Sequence, residues 1–160
     1  MRAVLSTGSN MGDARAHLQM VVDEFADELV AASSIYATAP WGVTDQPDFL
    51  NQALLIDVSC TPHELLTRCQ DLEQRANRVR ERRWGPRTLD VDIVWIEGYV
   101  SDDPALTVPH PRAHERQFVL EPWLEVDPGA EIGGSSISEL LQGLDQGCLL
   151  YTSPSPRDRT

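Results

Sequence analysis

The spacing of apolar positions changes several times along the chain, and each change marks an element. Ala3 to Leu5 is a short apolar run that reads as a buried strand. Leu18, Val21, Val22, Phe25 and Leu29 then recur at helical spacing, and that stripe is core. Val30 to Thr38 reads as a strand containing Ile35 and Tyr36, and Phe49 to Val58 as the next. In the latter, Phe49, Asn51, Ala53 and Leu55 share one face, since successive strand side chains alternate. Thr61-Pro62-His63-Glu64 opens a helix: Thr61 can cap, Pro62 suits the first helical position, and Glu64 completes a capping box. Its buried stripe is Leu65, Leu66, Cys69, Leu72 and Ala76, with Gln70, Glu73 and Asn77 on a neighbouring face. A strand follows from Asp90 to Ile96, then a turn at Glu97-Gly98 and a short return strand at Tyr99-Val100. Leu106 to Pro111 is extended, because each proline disfavours helix in the residue before it. Arg112 to Leu120 reads as a helix that stops before Pro122. Ser136-Ile137-Ser138-Glu139 is a second capping box, opening a short helix that Gly143 ends.

The 160 residues suffice for one domain with a core, and no apolar run reaches the ~18 residues that a spanning helix needs. Cys60, Cys69 and Cys148 lack Cys-x-x-Cys spacing and read as reduced thiols of a cytoplasmic protein. The stretch from Cys148 to Thr160 is rich in Ser, Pro and Arg, so it reads as a disordered or non-native tail behind a domain of residues 1–147. The net charge of −12 repels nucleic acid and anionic membranes except at a local basic patch.

Such a patch exists. All thirteen cationic residues are arginines, and Arg75, Arg78, Arg80, Arg82, Arg83 and Arg87 crowd into one segment. Asp90 and Asp92 follow at once, projecting together from one strand face. Paired carboxylates suit a hard divalent cation that keeps waters and substrate phosphates as its other ligands. Arginines match phosphate oxygens bidentately, so the combination points to a polyphosphate substrate. Arginine runs are also common solvated faces, and Asp-x-Asp recurs in many loops. Two details set this stretch apart: a cationic island in an acidic chain, and the stiff Trp84-Gly85-Pro86 turn joining it to the strand. The Thr7 to Asp13 loop is a plain strand-to-helix turn or a phosphate cradle without P-loop spacing. Asn51 bonds either a heterocyclic ligand or a neighbouring loop, and His110 is either structural or a phosphate or acid group.

Gly8-Ser9-Asn10, Asp45-Gln46-Pro47-Asp48-Phe49-Leu50-Asn51, Arg78-Val79-Arg80 with Arg83-Trp84-Gly85-Pro86-Arg87-Thr88-Leu89-Asp90-Val91-Asp92, and Leu106-Thr107-Val108-Pro109-His110 occur in this order. Together they resemble the 6-hydroxymethyl-7,8-dihydropterin pyrophosphokinases, folate-pathway enzymes that move the terminal diphosphate of ATP onto a pterin alcohol. The resemblance implies a ferredoxin-like α+β fold, an antiparallel sheet with helices packed on one side and added elements. It implies that Asp90 and Asp92 hold two magnesium ions (Mg2+) on the phosphates of ATP, the co-substrate. Arg78, Arg80 and Arg87 would contact phosphates, Arg78 and Arg87 nearest the transferred group. Gln70, Glu73, Ile93, Thr107 and His110 would line the nucleotide site, and Arg116 would help bind the diphosphate. Thr38, Asn51 and the backbone of Ala39 and Trp41 would bond the pterin edge. Phe49, Trp84 and Asp90 would face it, and Phe118 would stack on it. Small-molecule substrates, a monomer and no nucleic-acid or membrane partner complete the expectation. Ala105 and Pro111 depart from residues that some members carry on the nucleotide side.

A nucleic-acid-binding module and a ligand-sensing domain without catalysis are the rival readings. The first needs a broad basic surface, which a net charge of −12 opposes. The second does not need Asp90 and Asp92 beside Arg78 and Arg87.

Overall fold

The structure, a computed structural model, describes residues 1–9, 13–38, 49–78, 89–111, 113, 116–132, 134–143 and 150–153. Its elements run β1 (Arg2–Ser9), α1 (Ala14–Glu24), β2 (Leu29–Ala32), β3 (Ile35–Thr38), β4 (Phe49–Asp57), α2 (Pro62–Arg78) and β5 (Asp90–Ile96). Then follow β6 (Ser101–Asp103), β7 (Leu106–Val108), α3 (Gln117–Val126), β8 (Glu131–Ile132), β9 (Ser135–Ser136), α4 (Ile137–Gln142) and β10 (Leu150–Ser153).

One antiparallel sheet, ordered β10-β3-β4-β1-β5 with β2 also on β4, divides two cores. Ala3, Leu5, Leu54, Ile56, Val91 and Ile93 project from one face against Leu18 and Val21 of α1 and Leu65, Cys69 and Leu72 of α2. Val4, Leu55 and Val94 project from the other against Val119, Leu120 and Trp123 of α3 and Ile137 and Leu141 of α4. The fold is α+β and ferredoxin-like as expected, but helices cover both faces rather than one. A strand has two sides to bury, and the α3 and α4 stripes supply the second cover. A bulge tunes the arrangement: Val4 faces Trp95 while Leu5 faces Ile93, so Val94 is the extra residue. Ile93 and Ile96 thereby both enter the α1–α2 core while Val94 enters the other.

The first capping box forms in full, and the second helix start has its N-cap bond. Thr61 and Glu64 exchange backbone-to-side-chain bonds of 2.9 and 3.2 Å, and the Ser136 side chain accepts from the Glu139 N–H at 3.1 Å. Three expectations are corrected. Val30 to Thr38 is two strands, split at Ser33, whose Oγ accepts from the Ala53 N–H at 2.9 Å and interrupts the regular ladder. The Tyr99-Val100 return strand lies further on, as β6 paired with β7, and Tyr99 makes only an isolated bridge to Ile96. The helix expected over Arg112 to Leu120 is α3, which starts later and runs through Pro122. Burial of Val119, Leu120, Pro122 and Trp123 on the sheet outweighs the backbone bond that the proline removes. Past residue 147, Leu150–Ser153 pair with β3. The free edge of β3 offers backbone groups that satisfy a short extended segment.

Candidate active site

Cross-strand register assembles the site. Tyr36 of β3 is opposite Asn51 of β4, Asn51 is opposite Gly8 of β1, and Gly8 is opposite Asp90 of β5. The next row on the same face joins Ala53, Ser6 and Asp92. This is the face that α3 covers, since Val4 and Leu55 continue it into the α3–α4 core. Gly8 is needed for its size. A Cβ there would stand 3.0 Å from Asn51 Oδ1, so the missing side chain leaves room for the amide. Asn51 is buried, Asp92 half-buried and Asp90 exposed. The two aspartates offer hard oxygen donors side by side, which fits magnesium completed by water and phosphate. Among the described residues no three His, Cys, Asp or Glu gather into a closed metal cage.

Glu73 of α2 reaches the strand that carries the pair. The Val91 N–H, between Asp90 and Asp92, donates to Glu73 Oε2 at 2.9 Å. Glu73 thus fixes the backbone of an edge strand, a contact that helical spacing does not disclose. Hydrogen bonds to charged groups contribute about 1.5–3 kcal/mol, so Glu73→Ala should lower stability by about that much. Chemical denaturation checks the size, and faster amide exchange at Val91 checks the location.

The His110 N–H donates to the Val94 carbonyl at 3.0 Å, after a cis Val108–Pro109 bond. Burial holds its imidazole below the ordinary histidine range; Asp92 opposes that shift and Arg116 adds to it. His110 therefore lies within reach of the charges on both Asp92 and Arg116. The Arg116 guanidinium lies 5.8 Å from the Phe118 ring centre. Thr107 Oγ1 donates to the Asp103 carbonyl at 2.9 Å inside the β6–β7 hairpin. The Ile93 side chain points into the α1–α2 core, opposite Asp92, so its backbone is what it offers the site. Gln70 is exposed on α2, and Phe49 is exposed at the start of β4. Thr38 and Arg78 are described by backbone alone, while Ala39, Trp41, Arg80, Trp84 and Arg87 lie outside the described residues.

A family model described as 7,8-dihydro-6-hydroxymethylpterin-pyrophosphokinase matches residues 4–128. The chain is 47% identical over 148 residues to a 2-amino-4-hydroxy-6-hydroxymethyldihydropteridine pyrophosphokinase of Methylorubrum extorquens, covering 90% of this chain and 94% of the other. It is 43% identical over 128 residues to the protein so named in Bacillus subtilis, covering 78% and 77%. Among solved structures, wild-type HPPK-DHPS of Plasmodium falciparum superimposes with a TM-score of 0.64 at 12% identity. That match covers 88% of this chain and only 40% of the other, and it speaks for the fold.

Proposed function

The chain belongs to the 7,8-dihydro-6-hydroxymethylpterin-pyrophosphokinase family, and from that premise we propose which of its residues carry the family's reaction. It is an enzyme that transfers pyrophosphate from ATP to hydroxymethyldihydropterin in folate biosynthesis. The pterin hydroxymethyl oxygen bonds to the β-phosphorus of ATP, the bond from that phosphorus to the α-phosphate oxygen breaks so that AMP leaves with the electron pair, and the hydroxyl proton passes to solvent. One row across the sheet supports the residue assignment best. Asn51, Gly8 and Asp90 are cross-strand neighbours, so a group suited to a heterocycle and a group suited to phosphate-bound metal share one face.

In this reading Asp90 and Asp92 hold magnesium, two ions in all, which when bound would neutralise charge on the phosphates. Asn51, with Thr38 and the backbone of Ala39 and Trp41, orients the pterin. Phe49, Trp84 and Phe118 enclose it. Arg78, Arg80, Arg87 and Arg116 bind the phosphates and spread their charge. Gln70, Ile93, Thr107 and His110 line the nucleotide side, and Glu73 braces it through the backbone of β5. None of the side chains assigned to the pterin is an obvious strong base, so in this reading alignment and charge stabilisation carry the rate. Residues 1–147 form the catalytic domain, working as a monomer. Cys60 and Cys69 are free thiols, which suits a cytoplasmic setting.

A coupled assay for AMP release tests the reading: release should require both the pterin and magnesium. AMP formed equally without pterin would leave only a nucleotide hydrolase. Asn51→Ala should weaken pterin binding by about tenfold or more with little change in ATP binding, because a site built to hydrogen-bond its ligand discriminates through those groups. Gly8→Ala should do the same more mildly by displacing the Asn51 amide. Calorimetric titration with each ligand separates these outcomes, and equal losses for both ligands would make Asn51 a loop brace.

A further inference from the structure

Glu125 takes no part in the row of site residues, yet it fastens one side of the site to the other. It stands near the C-terminal end of α3, the helix that carries Phe118 in its first turn. Its Oε1 accepts from the Tyr36 hydroxyl at 2.8 Å. Its Oε2 accepts from the Ser34 N–H at 2.7 Å and the Ser34 hydroxyl at 3.2 Å. Tyr36 is the cross-strand neighbour of Asn51. A single carboxylate thus joins α3 to the strand beside the residue assigned to the pterin edge.

The rest of the α3 contact is less directional. Val119, Leu120 and Trp123 bury apolar surface, an attraction that tolerates small slides and rotations. Pro122 also removes the helical donor for the Phe118 carbonyl, so the backbone ladder is weakest where Phe118 sits. Three hydrogen bonds on one carboxylate restrain what apolar packing leaves free. Burial and the Glu125 carboxylate both raise the Tyr36 hydroxyl's proton affinity, so it stays a donor throughout the physiological range.

We propose that Glu125 is a positioning residue for the pterin site, setting through Tyr36 and Ser34 where α3 and its Phe118 stand relative to Asn51. This rests on the assignment of Asn51 and Phe118 to the pterin. Its bonds run to Ser34 and Tyr36 at the β3 side of the sheet, with β4 and β1 lying between β3 and β5, so its effect should reach one ligand selectively. Removing it should loosen pterin binding and leave the β5 carboxylates and the nucleotide side alone.

The test uses Glu125→Gln and Tyr36→Phe, two near-isosteric changes that spare the fold. Pterin affinity is measured by titration with magnesium and a non-hydrolysable ATP analogue present, and affinity for the analogue separately. Each variant should bind 6-hydroxymethylpterin about fivefold more weakly, the effect of losing one ordinary hydrogen bond, with analogue affinity within about twofold. The KM for the pterin should rise alike while kcat at saturation stays near its original value. The double variant should lose less than the sum of the two single losses, since the Tyr36 bond is common to both while the Ser34 bonds belong to Glu125 alone. Unchanged pterin affinity in both single variants, or parallel losses of both ligands, would overturn the positioning role. Failure of the unaltered protein to bind the pterin would overturn the assignment beneath it as well.

Discussion

Asp92→Ala abolishes nearly all diphosphate transfer while the protein still folds: that is the expected outcome at the centre of the site. Asp92 projects from β5 onto the face that carries Asp90, half-buried, while Val91 and Ile93 on either side hold the strand in the α1–α2 core. Removing its carboxylate deletes no core atom, so the stability change should stay within roughly 1 kcal/mol. Its effect on chemistry is of another size. Stabilising charge that builds on transferring phosphates is worth several kcal/mol, and each ~1.4 kcal/mol is tenfold in rate. A loss on the order of a thousandfold in kcat is expected. Magnesium-dependent binding of a non-hydrolysable ATP analogue should also weaken, which gives a readout apart from turnover. Normal turnover at saturating magnesium would show that Asp92 holds no metal.

Arg87→Ala should cut turnover on the order of a thousandfold, the scale known for arginines acting in phosphoryl-transfer transition states, yet change ATP binding modestly. Arg87 lies outside the described residues, and its place in the chain motivates the expectation. In the sequence it follows Trp84-Gly85-Pro86 and precedes Asp90 by three residues. An arginine acting on charge that shifts during transfer lowers the barrier more than it anchors the ground state. Arg87→Lys should restore only part of the rate, because an ammonium cannot grip two oxygens in a planar fork. Turnover at saturating ATP, set beside equilibrium binding of the ATP analogue, decides the matter. A collapse of ATP affinity with normal saturated turnover would make Arg87 a substrate anchor.

What could be read from the chain was local. Alternation along β5 put Asp90 and Asp92 on one face, and the same period put Asn51 beside Phe49 and Ala53. Capping boxes at Thr61 and Ser136 marked two helix starts because their bonds span only a few residues. What escaped depends on partners distant in sequence. Ser33 splits a strand by bonding Ala53, Pro122 survives inside α3 because a sheet lies beneath it, and Glu73 finds the Val91 N–H across a helix–strand gap. The Val94 bulge likewise follows from two cores competing for one strand. Tyr36 and Glu125 carried no motif at all. Their link joins β3 to α3, and neither periodicity nor charge spacing announces it.

The bonds from Glu73 and His110 have a consequence for the protein as a colloid. β5 ends the sheet, and an open edge strand is a template on which a second chain can add itself. Here the Val91 N–H is taken by Glu73 and the Val94 carbonyl by the His110 N–H. Side chain and loop together occupy the rim that intermolecular pairing would use. The contacts that steady the carboxylate pair also guard the exposed margin of the sheet against edge-to-edge aggregation.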